Sequence, residues 1–165
     1  IDVSALVHWI DEGRSLSDYP DGGQREGGSV LTVPCDVAIP AAIEGTVTGD
    51  VAESVTAPLV VEGANGPVTP DGEERLLERG TRVIPDIVAN AGGVISSYYE
   101  WVQNHQRVSW PAEKERRLVL ERLEHTWRQF EELGSEKWRS HAIQTAITRV
   151  VSGLQAAGNL GDYRH

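Results

Sequence analysis

Three short stretches carry small residues where a flat ligand could approach the backbone, and two of them add an Asn amide. They are IPAA at Ile39–Ala42, EGANGP at Glu62–Pro67 and PDIVANAGGV at Pro85–Val94. Gly and Ala let a ligand approach the backbone closely, and an Asn amide both donates and accepts hydrogen bonds. An amide-bearing aromatic ring, such as nicotinamide, is the kind of ligand that three such loops could bracket. Gly and Asn are also common turn formers, so the same residues read as punctuation between elements.

Other reactive side chains point to less. His8, His105, His125, His141 and His165 show no metal-ligand spacing, so no metal is expected. Cys35, with no activating base nearby, is expected as a core thiol. One cysteine excludes an internal disulfide and fits a reducing compartment. There is no GxGxxG fingerprint, and no acidic residue closes a following strand to hold an adenosine ribose.

The elements that must position the three loops alternate along the chain. Residues 3–12 read as a short helix, and residues 13–29 as a Gly-rich loop. CDVAIP at Cys35–Pro40 suits a buried strand, and residues 41–55 a helical or mixed segment. LVVEGA is a second strand. Thr69 and Pro70 supply a helix cap and first position, with Asp71, Glu73 and Glu74 in the first turn, and Gly80 ends that helix. TRVIPD is a third strand. Short helical connections between strands imply a parallel α/β sheet covered on both faces, with ligands at the carboxyl ends of its strands. From Gly92 onward the pattern is helical. Leu120, Leu123, Trp127, Phe130 and Leu133 form one stripe, and Ile143, Ile147, Val150 and Leu154 another; both read as core or interface.

The 165 residues carry a formal charge of −10, with 25 acidic and 15 basic side chains, which argues against a nucleic-acid partner. No apolar run approaches the roughly 20 residues that span a bilayer, and no signal peptide is visible; no membrane partner and a cytoplasmic location are expected. The chain begins at Ile1, contains no Met and enters at once on an amphipathic pattern, so it reads as a piece of a longer polypeptide.

The segments PCDVAIPAA, VVEGANGPVTPDGEERLLERG and VIPDIVANAGGVISSYYEWVQN occur in order over Pro34–Asn104. They resemble the second half of the cofactor domain of glutamate dehydrogenases, within the Glu/Leu/Phe/Val amino-acid dehydrogenase family. The resemblance implies the second half of a doubly wound, Rossmann-like parallel sheet. Residues 1–110 would be a partial dinucleotide-binding domain with its last three strands, and residues 111–165 a helical segment packing on it. It also implies NAD or NADP as cofactor, oxidative deamination of L-glutamate to 2-oxoglutarate and ammonia, and a homo-oligomer, a hexamer. Carried over residue by residue, Ala41, Ala42, Gly63, Asn65 and Asn90 would bind the cofactor. Val94 would pack on the substrate chain, and Ser97 would donate to its distal carboxylate.

Ser96 stands where the family commonly has an apolar residue, which doubles the candidate hydroxyls. The family's catalytic Lys and Asp belong to a separate substrate domain, and neither Lys114 nor Lys137 matches their motif, so the chain alone is expected to be inactive. SSYYEWVQN favours a dicarboxylic substrate. A branched-chain or aromatic amino-acid dehydrogenase of the same family, or a non-catalytic remnant serving as a structural module, stand as alternatives.

Overall fold

The structure, a computed structural model, describes residues 1–22, 29–131 and 133–158. The chain divides into two compact units, residues 1–30 and 31–165. In the first, helix α1 (Val3–Asp11) is capped by the Asp2 carboxylate, which accepts from the Ala5 amide at 3.1 Å. Trp9 packs edge-on against Tyr19, with ring centroids 5.7 Å apart, and donates its indole N–H to the Ser15 carbonyl. Of the Gly-rich loop expected over residues 13–29, residues 23–28 lie outside the described ones, as does His165.

The second unit is built on three parallel strands in the order β1 (Val37–Ala38), β2 (Leu59–Val61), β3 (Arg82–Ile84). Val37 pairs with Leu59, and Leu59 with Arg82. The expected α/β architecture is therefore present, with strands shorter than the apolar runs that announced them. Residues 41–46 are not helical. Val47 instead forms a parallel bridge to Val68, and only Gly49–Ser54 coil into α2. Helix α3 (Pro70–Glu78) starts as its sequence dictates, with the Thr69 hydroxyl accepting from the Gly72 amide and Pro70 at the first position.

Ala38, Val60 and Val83 form the buried row across the sheet and pack with Val47, Ala52, Val55 and Leu76. The opposite face is only partly covered within this chain. Ile84 packs against the cluster of Val88, Phe130, Trp138 and Ala142, whereas Val37 is 42% exposed and Ile39 58%. That cluster joins α4 (Asp86–Ala89), α6 (Ala112–Glu131) and α7 (Trp138–Ala156), while α5 (Gly92–Gln106) packs along α6.

One expectation about burial needs correcting: Cys35 is exposed, because it precedes the first paired residue of β1. The stripe Ile143, Ile147, Val150, Leu154, read as core or interface, is exposed in this chain and so is not core. Helix α7 turns Trp138 and Ala142 inward, and Ile143, one residue on, points about 100° away from that face.

Candidate functional site

The carboxyl ends of the three strands converge, and their loops are stitched together by backbone and amide bonds. The amides of Gly63 and Ala64 both donate to the Pro40 carbonyl, at 3.1 and 3.0 Å. A Cβ placed on Gly63 would stand 2.9 Å from the Ala41 Cβ and 3.4 Å from the Ile39 Cγ2, so the IPAA and EGAN loops meet at a distance that favours glycine. Just beyond, the Gly45 and Val47 amides donate to the carbonyls of Gly66 and Pro67, both at 2.9 Å.

The third loop is tied in by one side chain. Asn90, at the end of α4, donates its amide to the Asn65 Oδ1 at 2.8 Å, the Ala64 carbonyl at 3.2 Å and the Gly63 carbonyl at 3.4 Å. These bonds occupy the Asn90 donors and one Asn65 acceptor. The Asn65 NH2 and the Asn90 Oδ1 remain, a donor group and an acceptor, the complement of a carboxamide. An open cleft of about 780 Å3 lies over these loops, lined by Ala42, Ile43, Glu44, Gly63, Ala64 and Asn65.

The strand-end loops are also tied to a charge cluster that sequence reasoning missed. Glu62 is fully buried at the end of β2; its carboxylate accepts from the Asp86 amide at 2.7 Å and from the Arg139 guanidinium at 2.7 Å. Arg139, on α7, also meets Glu73 at 2.5 Å and Asp86 at 3.5 Å. The other Asp86 oxygen accepts from the Gly66 amide at 2.8 Å. Burial works against the Arg139 charge, but the Glu62 hydrogen bond and the attraction of Glu73 outweigh it and raise its pKa above the ordinary value.

The model of the family described as Glutamate/Leucine/Phenylalanine/Valine dehydrogenase matches residues 1–158. The chain belongs to that family.

Among its relatives in the family is the NADP-specific glutamate dehydrogenase of Saccharolobus shibatae, 38% identical over 165 residues, 97% of this chain and 39% of the relative. Glutamate dehydrogenase A2 of Halobacterium salinarum is 46% identical over 135 residues, 74% of this chain and 32% of that protein. The chain thus spans about two fifths or less of the length of these relatives. A solved structure, the hetero-hexameric glutamate dehydrogenase from Thermus thermophilus in its Leu-bound form, superposes with a TM-score of 0.66 at 31% identity, over 76% of this chain and 29% of that one.

Within this family fold, Ala41, Ala42, Gly63, Asn65 and Asn90 fall in one place, on or directly beside the cleft. Val94 and Ser97 lie apart from it, exposed on the first turns of α5. Val94 borders a separate hollow with Ile95, Tyr98, Tyr99 and Arg122. The second candidate hydroxyl, Ser96, is engaged elsewhere: it donates to the Glu115 carboxylate of α6 at 2.5 Å. Among the described residues, no group of three or more His, Cys, Asp or Glu could hold a metal ion, and no helix is long and apolar enough to cross a membrane.

Proposed function

We propose that this chain is the carboxyl-terminal part of an NAD(P)-dependent glutamate dehydrogenase, supplying the nicotinamide side of the cleft and one wall of the substrate pocket. The observation that carries this reading is the convergence of the three strand-end loops on Asn90, which presents small residues and a free amide donor and acceptor together. These groups suit a dinucleotide's carboxamide end: Ala41, Ala42 and Gly63 admit it closely, and Asn65 and Asn90 orient it. Bound NAD or NADP would supply the hydride acceptor and donor.

In this reading residues 1–110 are the last part of the dinucleotide domain and residues 111–165 a helical segment packed on it. Val94 contacts the aliphatic chain of glutamate. Ser97 donates to the distal carboxylate, a role supported by its exposure and by the engagement of Ser96 with Glu115. The activating Lys and Asp come from a separate substrate domain, and the enzyme works in the cytoplasm as a homo-hexamer.

The test is to assay the complete protein containing this chain with NAD and with NADP against glutamate, leucine, valine and phenylalanine. Oxidation of glutamate well above the others supports the proposal. Preference for an apolar amino acid moves the substrate to the branched-chain or aromatic group, and no oxidation of any of them leaves the structural module.

A further inference from the structure

We propose that Arg139 is a positioning residue for the cleft, acting through Glu62 and Asp86 to set the EGANGP loop against helix α4. The proposal rests on the dinucleotide reading of the cleft for its functional readout, and on geometry alone for its structural one.

The link is continuous. Arg139 sits on α7 and is not among the residues that line the cleft, and three carboxylates surround it. Two of the three control loop geometry. Glu62 precedes Gly63 directly and holds the Asp86 amide, which fixes the start of α4 on the end of β2. Asp86 accepts from Gly66 with one oxygen and faces Arg139 with the other, so it spans from the guanidinium to the turn that carries Asn65. Asn90 lies at the far end of the same four-residue helix. The two cleft amides are thus mounted on segments whose separation is set by one cation.

A buried ion pair is a poor stabiliser compared with a well-packed apolar substitute, because desolvation offsets the Coulomb attraction. What it supplies here is direction. A planar guanidinium with Nη2 on Glu62, Nε on Glu73 and Nη1 facing Asp86 admits one arrangement of those three carboxylates. Lys would keep the charge but not the fork.

The experiment uses the complete protein and three single changes, Arg139→Met, Arg139→Lys and Glu62→Gln, with the double change Arg139→Met/Glu62→Gln. NADH and NADPH binding is titrated by nicotinamide fluorescence, well below each variant's melting midpoint. Arg139→Met is expected to weaken binding roughly three- to thirtyfold, Arg139→Lys to fall between it and the unaltered protein, and the double change to bind no more weakly than the weaker single, as expected for one shared link. Amide hydrogen exchange at Gly66 should accelerate in Arg139→Met with no cofactor present.

Unchanged affinity and unchanged Gly66 exchange with a lowered melting midpoint would make Arg139 a structural ion pair and overturn the proposal. If Arg139→Met does not fold, Arg139→Lys decides by the same two readings. If the unaltered protein binds neither NADH nor NADPH, the dinucleotide reading fails, and Gly66 exchange still decides whether Arg139 sets the loop.

Discussion

Asn90 and Asn65 are bonded side chain to side chain, Nδ2 to Oδ1 at 2.8 Å, across 25 residues of sequence. The bond makes the two amides one unit, and it fixes which ends remain for a ligand. Asn90→Asp would set a carboxylate against three acceptors, Asn65 Oδ1 and the carbonyls of Gly63 and Ala64. Losing such bonds costs about 1–3 kcal/mol, so on the proposed dinucleotide reading the cofactor KM of the complete protein should rise roughly 5- to 150-fold. Steady-state kinetics with varied cofactor measures it.

Asn65→Asp is the gentler change, since its carboxylate still accepts from Asn90. It removes the free NH2 donor and adds a negative charge beside the cleft, and the cofactor KM should again rise. A KM equal to that of the unaltered enzyme would reduce Asn65 to a brace for the loop.

The two adjacent serines should separate cleanly. Ser97→Val removes a donor proposed to meet a carboxylate, worth about 1.5–3 kcal/mol, so kcat/KM for glutamate should fall roughly 10- to 150-fold while norvaline loses little. Ser96→Val breaks the bond to the Glu115 carboxylate between α5 and α6 and should lower stability by about 1.5–3 kcal/mol, with substrate kinetics nearly unchanged. If Ser96→Val is the kinetically damaging change, the serine assigned to substrate is wrong by one position.

Gly72 permits a close crossing. A Cβ at this position would stand 2.2 Å from the Val47 carbonyl oxygen, which also accepts from the Thr69 hydroxyl and amide. Gly72→Ala must push α3 away from the segment that follows the IPAA loop, costing about 1–3 kcal/mol. Chemical denaturation should show a lower midpoint. An unshifted midpoint would mean that α3 does not close onto that segment.

Asp71 contributes to the acid limb of stability. The neighbouring Thr69 side chain, then the Gly49 backbone amide, which donates to Asp71 at 2.9 Å, hold the Asp71 carboxyl below its ordinary pKa of 3.8. A group depressed in the folded state stabilises above its unfolded pKa and loses that contribution as the pH falls through the folded value. Stability should therefore decline below about pH 4, and Asp71→Asn should flatten that part of the profile. Urea midpoints measured from pH 5 to pH 2.5 would show it; parallel profiles for the two proteins would remove Asp71 from the account.

What the sequence made legible was local. The strand-end loops stood out because each apolar run stops at small residues, two of them with an Asn, and α3 because Thr69, Pro70 and the acidic first turn act within a few residues of one another. Arg139 was not legible, since its partners lie 66 and 77 residues away and no periodicity records such a pairing. A signal existed in Glu62, an acid closing an apolar strand, which demands a buried cation without saying which. The strand lengths were overread for a related reason. Apolar residues continue past the point where a neighbour offers hydrogen bonds, so Cys35 and Ile39 flank β1 without being buried.

The separation of Glu62 from Arg139 also orders events at the ribosome. Glu62 leaves the tunnel 77 residues ahead of its cation, an interval of roughly 4–15 s at ordinary elongation rates. Until α7 emerges, seating the end of β2 would bury an uncompensated carboxylate, so the nascent sheet cannot close in its native form. Helix α7 is therefore the latch of the fold, and ribosome-bound chains halted before Arg139 should remain open to proteolysis around Glu62, where chains that extend past α7 are protected.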